Sequence, residues 1–264
     1  MPYRIDIPQA RVHSFDRLVE LGALDAEISS DGAIAALLPD SVSPEEVARA
    51  LGVDDLSVSP AIGRDEGSIW ILSPRPVRVG RIRIVPAGVN AEPGDMKLID
   101  AGAFGTGLHP TTALCLDAID DAVRIAPLDT MLDVGTGSGV LALAALMFGV
   151  PAVTGIDTDD EALRVAAENA RLNGLESRMQ LRRGGPDSVT GTWPLVVANI
   201  VAAPLIEMAP ALAQRVGHRG ELVLSGIPSS VEQDVDRAYR RLGMQRVRVT
   251  SRAGWVALVL RASW

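Results

Sequence analysis

The sequence is poor in aromatic residues, histidine and cysteine. Aromatic residues make up 3% of its 264 residues and hydrophobic residues 47%, so the core must consist mainly of Ala, Val, Leu and Ile, as expected for helices packed on a parallel sheet. Cys115 alone excludes an internal disulfide. His13, His109 and His218 are scattered without the spacing of metal ligands, and one cysteine cannot complete a zinc site. We therefore predict a protein that uses no metal.

Long apolar runs and an excess of positive charge are also lacking. No uninterrupted apolar run reaches about 18 residues, the lower limit for a membrane-spanning helix. The first residues lack the basic flank and apolar core of a signal peptide. A net charge of −8 argues against a nucleic-acid-binding surface and is compatible with a basic protein partner. We expect a cytoplasmic monomer that binds neither membranes nor nucleic acid directly.

What the sequence does contain is a glycine-rich stretch, Asp133 to Gly139 (DVGTGSG), between a strand-like run and an apolar helix. Asp157 ends the next predicted strand, 22 residues after Gly135, where an acid in a doubly wound fold accepts hydrogen bonds from ribose hydroxyls. A dinucleotide fingerprint would need a third glycine at Val140. The spacing therefore favours an adenosine ligand without phosphates, and S-adenosylmethionine is the obvious one.

The strand pattern predicts the fold. Seven predicted strands end in a hairpin, which matches the seven-stranded class I methyltransferase (Rossmann-like) sheet, with helices on both faces, better than a six-stranded dehydrogenase sheet. Residues 1–62 show the order β-α-β-β-α-β of a small α+β ferredoxin-like domain, with a role in substrate recognition or in support. Residues 63–76 have the Pro, Gly and charge content of a linker. We assign residues 77–264 to the catalytic domain.

A second motif precedes the glycine loop. Phe104 lies among glycines without a packing explanation, and Pro110 begins a helix whose N-terminus is left free for a ligand. His109 could act as a base or hold this loop by a hydrogen bond, and the sequence leaves both open. Asn199 stands where a predicted strand meets a loop on the ligand side of the sheet.

These residues resemble one family, the bacterial ribosomal protein L11 methyltransferases, called PrmA. The resemblance rests on seven segments: FGTGLHPTT at 104–112, LDVGTGSG at 132–139, GID at 155–157, ENARLNG at 168–174, VVANIVAAPL at 196–205, LSG at 224–226 and WVAL at 255–258. It implies transfer of methyl groups from S-adenosylmethionine, with S-adenosylhomocysteine as product, to lysine side chains and the N-terminal amine of a ribosomal protein that the N-terminal domain holds.

Carried over by motif, the resemblance also implies a set of cofactor contacts: Thr112, Gly135, Asp157 and Asn199, with Phe104 and Gly137 nearby. Methyl transfer is an in-line displacement that needs positioning and a neutral amine. We therefore assign Asn199 the catalytic role of accepting a hydrogen bond from the amine, against the alternative that it caps a loop or holds the cofactor.

Other functions stay open at this point. A methyltransferase of the same fold acting on another protein or a small molecule is the main alternative. An NAD-linked oxidoreductase would use the same geometry from Gly135 to Asp157, but Val140 and the seven-strand pattern speak against it. A non-catalytic binding protein would have lost the loops at Phe104 and Asn199, which are intact.

Overall fold

The structure is a computed structural model that describes residues 2–8, 14–28, 33–61, 76–99, 109–252 and 254–264. The chain divides into two compact units, Met1–Pro74 and Arg75–Trp264, and each is considered separately. Three sequence-based predictions lie outside the described residues: the turn at 29–32, almost all of the linker at 63–76, and the position of Phe104.

The first unit is a four-stranded antiparallel sheet with two helices. Its elements are β1 (Tyr3–Ile7), α1 (Ser14–Glu20), β2 (Asp25–Ile28), β3 (Ile34–Leu38), α2 (Pro44–Leu51) and β4 (Ser57–Pro60). The strand order β2-β3-β1-β4 is the ferredoxin-like order that the sequence predicts. Ser43 caps α2 by accepting from the Glu46 N–H over 3.2 Å, and Gly52 ends the helix with a positive φ of 64°.

A small sheet opens the second unit. The predicted bent arm at residues 77–85 is a hairpin of β5 (Val77–Val79) and β6 (Ile82–Pro86), and β7 (Met96–Leu98) adds to it in parallel. The strand β7 is absent from the sequence-based predictions because three residues are too short for a period-2 pattern.

The main sheet of the second unit has seven strands. They are β8 (Thr130–Val134), β9 (Ala152–Asp157), β10 (Met179–Arg183), β11 (Trp193–Asn199), β12 (Val216–Pro228), β13 (Met244–Arg252) and β14 (Trp255–Ala262). Their spatial order is β10-β9-β8-β11-β12-β14-β13, and β14 runs antiparallel to its two neighbours. The order reverses between β8 and β11, which makes the carboxyl ends of these two strands the expected ligand crevice.

Helices cover both faces of this sheet, as predicted. One face packs on α3 (Pro110–Ile125), α4 (Val140–Phe148) and α5 (Asp160–Leu172), and the other on α6 (Ala202–Glu207), α7 (Ala209–Arg215) and α8 (Glu232–Arg240). Neighbouring residues on β8 alternate between them, because Met131 joins the first apolar cluster and Leu132 the second.

Two helix boundaries differ from the prediction, and one break is confirmed. The helix after β11 begins at Ala202 and not at Pro204, because a proline in the first turn removes only an N–H that has no helical partner. The helix predicted over 230–242 is shorter: a 3₁₀ turn at Ser229–Val231 precedes α8. The predicted break at Pro210 is present, with Met208 between α6 and α7. None of the helices in the described parts of the chain has the length and apolar character needed to cross a membrane.

Candidate active site

The glycine turn and Asp157 are in direct contact. The turn leaves the end of β8, and the main-chain N–H of Gly137 donates to Oδ2 of Asp157 over 2.9 Å. The N–H of Asp159 donates to the other oxygen over 3.1 Å. Each carboxylate oxygen has a second lone pair, so Asp157 can still accept two hydroxyl groups.

Gly135 lets the neighbouring strand end approach this turn. Its φ is +70°, and a Cβ built on it would lie 2.7 Å from Cγ2 of Ile200. The parallel register pairs Val134 with Ala198, so Asn199 stands one residue beyond this pair, beside Gly135. A larger residue at position 135 would force the Ile200 side chain to move and would be strained at this positive φ.

The buried carboxyl of Asp133, on the strand before the turn, supports the turn through a hydrogen bond. Asp133 is 1% exposed, and the hydroxyl of Thr136 donates to its Oδ2 over 2.7 Å. Burial raises the pKa of Asp133 to about 7, although the hydrogen bond from Thr136 works in the opposite direction. Cys115 is fully buried beside this group, and burial first, then the nearby Asp133 carboxyl, raises the pKa of its thiol. Such a thiol is packing and not a nucleophile.

Asn199 ends β11 with its side chain almost entirely buried. Its residue is 9% exposed, and its Oδ1 has no hydrogen-bond partner within the described ranges. The next residue, Ile200, is tied to β12 by an N–H to Ser225 carbonyl hydrogen bond of 3.1 Å. A buried amide oxygen without a partner costs free energy, which a ligand that donates a hydrogen bond would recover.

The first turn of α3 carries a second unpartnered oxygen. His109 caps the helix: its Nδ1 accepts from the Thr111 N–H over 3.3 Å and lies 2.7 Å from the Thr111 hydroxyl. Its ring also packs edge-on against Trp255, with ring centroids 4.9 Å apart, and burial lowers its pKa. Thr112, fully buried beside it, has no hydrogen-bond partner for Oγ1 in the part of the chain that the structure describes.

Sequence reasoning did not assign a role to Asn169 of α5 or to Asn173, the residue that caps the end of this helix. Asn169 is fully buried; its Nδ2 donates to the Ser138 carbonyl over 2.9 Å and its Oδ1 accepts from the Ile99 N–H over 2.8 Å. Asn173 bonds both the N–H and the carbonyl of Lys97, at 2.8 and 2.7 Å. The sequence does contain a signal for Asn169: its polar side chain lies on the apolar face of the helix, in helical register with Ala162 and Ala166.

The structure thus brings together four of the six predicted site residues at one edge of the sheet: Gly135, Gly137, Asp157 and Asn199. Thr112 lies in the first turn of α3, a helix that packs against β11 and β12. Phe104 lies outside the described residues. This arrangement can accept hydrogen bonds from ribose hydroxyls at Asp157 and from a donor at Asn199, so it fits an adenosine-bearing ligand that has an amine or a second donor at its other end.

The sheet order and the glycine turn held by an acid define the class I methyltransferase fold. The family profile described as "Ribosomal protein L11 methyltransferase (PrmA)" matches residues 26–263 of this chain. The chain belongs to this family.

Individual relatives agree with the family match. A ribosomal protein L11 methyltransferase from Rhizobium leguminosarum bv. trifolii is 44% identical over 193 residues, which cover 70% of this chain and 66% of the relative. One from Geobacter sulfurreducens is 42% identical over 191 residues, covering 70% and 62%. The crystal structure of a ribosomal protein L11 methylase from Lactobacillus delbrueckii subsp. bulgaricus matches with a TM-score of 0.66 and 32% identity, over 71% of this chain and 99% of that one. The matched region thus spans slightly less than two thirds of these two curated relatives.

Proposed function

We propose that this protein transfers methyl groups from S-adenosylmethionine to amines of ribosomal protein L11, with lysine side chains and the N-terminal amine as acceptors. The observation that carries the proposal is the family match, which extends from residue 26 to residue 263 and so includes parts of both compact units. The cytoplasm, a monomeric state and the absence of a metal remain predictions from the sequence.

The residues around the glycine turn support S-adenosylmethionine as the cofactor. Bound there, it would supply an electrophilic methyl group on a sulfonium. Asp157 would accept the ribose hydroxyls, while Gly135 and Gly137 form the wall of the turn. Thr112 and Asn199 would offer their buried oxygens to the polar end of the cofactor or to the acceptor. Phe104 is proposed to lie near this site on the family motif alone.

Asn199 is proposed to prepare the acceptor amine. A lysine amine must be neutral to attack, and with a pKa near 10.4 its deprotonation at pH 7 costs roughly 4 to 5 kcal/mol. A dry pocket beside a cationic sulfonium lowers this cost. The Asn199 amide oxygen would accept a hydrogen bond from the amine and aim its lone pair at the methyl carbon. The N–C bond would form as the S–C bond breaks, which would give S-adenosylhomocysteine and a methylammonium group. The proton released to solvent is the one that the lysine gives up before attack.

The distribution of charge supports a basic protein as substrate. Residues 1–74 contain thirteen Asp and Glu against five Arg, a net charge of −8, whereas residues 75–264 contain twenty acidic and twenty basic residues. The first unit therefore carries all the net negative charge of the chain. Such a unit attracts a cationic partner over a distance of about 10 Å at 0.1 M salt.

The test is to incubate the protein with labelled S-adenosylmethionine and either a ribosomal-protein fraction or a ribosome-depleted extract. Label should appear on a single ribosomal protein of the size of L11. Lys97 is the only lysine of this chain, so self-methylation adds little background. Label confined to the ribosome-depleted extract would favour the main alternative, a methyltransferase with another acceptor.

A control addresses the oxidoreductase alternative. Calorimetric titration with S-adenosylhomocysteine and with NAD should give binding of the first and none of the second. Tight binding of NAD alone would remove the methyltransferase proposal.

A further inference from the structure

Asn169 joins two segments of the candidate site through one buried side chain. Its amide nitrogen holds the Ser138 carbonyl of the glycine turn, and its amide oxygen holds the Ile99 N–H at the end of β7. Both hydrogen bonds are shorter than 3 Å, and the residue is fully buried. One side chain therefore links the turn directly to the residue that follows β7.

Beside the Asn169–Ser138 hydrogen bond, the main chain of the turn packs directly against α5. A Cβ built on Gly139 would lie 3.1 Å from Cβ and 3.3 Å from Cα of Ala166. Ala166 and Asn169 are three residues apart on the same face of α5, so they form neighbouring contacts with the end of the turn. The glycine allows the close approach, and the asparagine adds a directed hydrogen bond to it.

The turn needs such an external support. Gly135, Gly137 and Gly139 all have positive φ angles, and glycine loses more conformational freedom on folding than any other residue. Thr136 anchors the start of the turn through its hydrogen bond to Asp133, but Gly137 and Gly139 have no side chain with which to hold the rest of it. Its shape depends on the groups that bind its main chain, and Gly137 must keep its N–H directed at Asp157.

We infer that Asn169 is a positioning residue for S-adenosylmethionine binding, acting through the Ser138 carbonyl. The inference rests on the proposed function, because it needs the glycine turn to be part of the cofactor site. Asn169 does not touch the cofactor. It holds the turn in the one conformation in which Gly137 and Asp157 present a finished binding surface.

Asn173 provides a matched control one turn further along. It holds β7 through both main-chain groups of Lys97, and its side chain makes no hydrogen bond to the described residues of the glycine turn. Asn169→Ala loses one hydrogen bond to Ile99, next to β7, and one to Ser138 of the turn. Asn173→Ala loses the two hydrogen bonds to Lys97 and one to the Asn169 carbonyl. Only the substitution at Asn169 also releases the turn.

The experiment measures binding of S-adenosylhomocysteine by calorimetry, and stability by urea unfolding, for wild type, Asn169→Ala, Asn169→Asp and Asn173→Ala. Loss of one buried hydrogen bond to the turn should weaken binding about tenfold in Asn169→Ala. Asn173→Ala should be less stable than wild type, while its dissociation constant for S-adenosylhomocysteine stays within about twofold of the wild-type value. In Asn169→Asp, protonation restores a donor toward Ser138, so its affinity relative to wild type should recover between pH 8 and pH 5.5.

The outcomes separate this inference from the proposed function. Unchanged affinity in Asn169→Ala, or equal losses in Asn169→Ala and Asn173→Ala, would overturn the positioning role. The positioning role would also be overturned if Asn169→Asp bound S-adenosylhomocysteine more weakly than wild type by the same factor at pH 8 and at pH 5.5. This comparison decides the question if Asn169→Ala does not fold. A wild-type protein that binds no S-adenosylhomocysteine would instead remove the proposed function itself.

Discussion

The N–H of Gly137 donates to a carboxylate oxygen of Asp157 over 2.9 Å, so the glycine turn and the acid at the end of the next strand form one unit. In Asp157→Asn, one of the two main-chain donors would face an amide NH₂ group. An unpaired N–H and the loss of a charged acceptor cost about 3 kcal/mol. We expect the affinity for S-adenosylhomocysteine to fall about a hundredfold, measured by calorimetry. Asp159→Asn is the control, because asparagine caps α5 as well as aspartate does, and its affinity should be unchanged.

Asn199→Ala should separate turnover from binding. If the amide oxygen aims the amine, the catalytic constant falls about a hundredfold, equivalent to roughly 3 kcal/mol, while S-adenosylhomocysteine binds nearly as before. Asn199→Asp should shift the pH dependence of turnover to more alkaline values, because a carboxylate stabilises the ammonium form of the acceptor. Near-normal turnover of the alanine variant would assign Asn199 to loop structure.

Substitution by valine should change the stability of the protein in opposite directions at the adjacent residues Thr111 and Thr112. The Thr112 hydroxyl is buried without a partner within the described residues, so Thr112→Val should stabilise the ligand-free protein by about 1 kcal/mol while weakening cofactor binding about tenfold. The Thr111 hydroxyl is bonded to His109, and Thr111→Val should destabilise the protein by about 1 kcal/mol. Urea unfolding and calorimetry test both. A destabilised Thr112→Val would mean that this hydroxyl has a partner in the free protein.

Asp133 should make stability depend on pH. Its pKa of about 7 in the folded protein lies above the ordinary value near 3.9, so the folded state binds more protons between pH 4 and pH 7. The contribution of Asp133 to stability therefore falls as the pH rises through this window, by about 4 kcal/mol at most. Asp133→Asn keeps the acceptor for Thr136 and does not titrate.

The measurement is the difference in unfolding free energy between Asp133→Asn and wild type at pH 5, 6, 7 and 8. This difference should grow in favour of the variant as the pH rises. The exposed Asp129, substituted by Asn, should give a difference that does not follow this trend. A flat profile for Asp133→Asn would show that the carboxyl titrates normally.

The acidic first unit predicts a salt-dependent step. Raising the salt from 50 to 500 mM should increase the KM for the protein substrate several-fold, because exposed charges are screened, while the affinity for S-adenosylhomocysteine stays constant. Neutralising the exposed pair Asp54 and Asp55 should have the same selective effect. Neutralising Glu176 and Asp187, exposed on the second unit, is the control. Equal KM values at both salt concentrations would argue against electrostatic recognition.

The sequence by itself determined the elements and the class of ligand. Local rules act over a few residues, and they identified the strand, glycine turn and helix from Thr130 to Phe148, the capped helix after Ser43 and the break before Pro210. The spacing from Gly135 to Asp157 predicted their meeting because parallel neighbouring strands end at one edge of the sheet.

Only the tertiary structure decided which polar groups are paired. Thr111 and Thr112 are indistinguishable in sequence terms, yet one bonds His109 and the other has no partner among the described residues. Asn169 meets Ser138 and Ile99, which are 31 and 70 residues away. Such contacts, like the burial that raises the pKa of Asp133, depend on how helices pack across the sheet, and no local propensity or period encodes that packing.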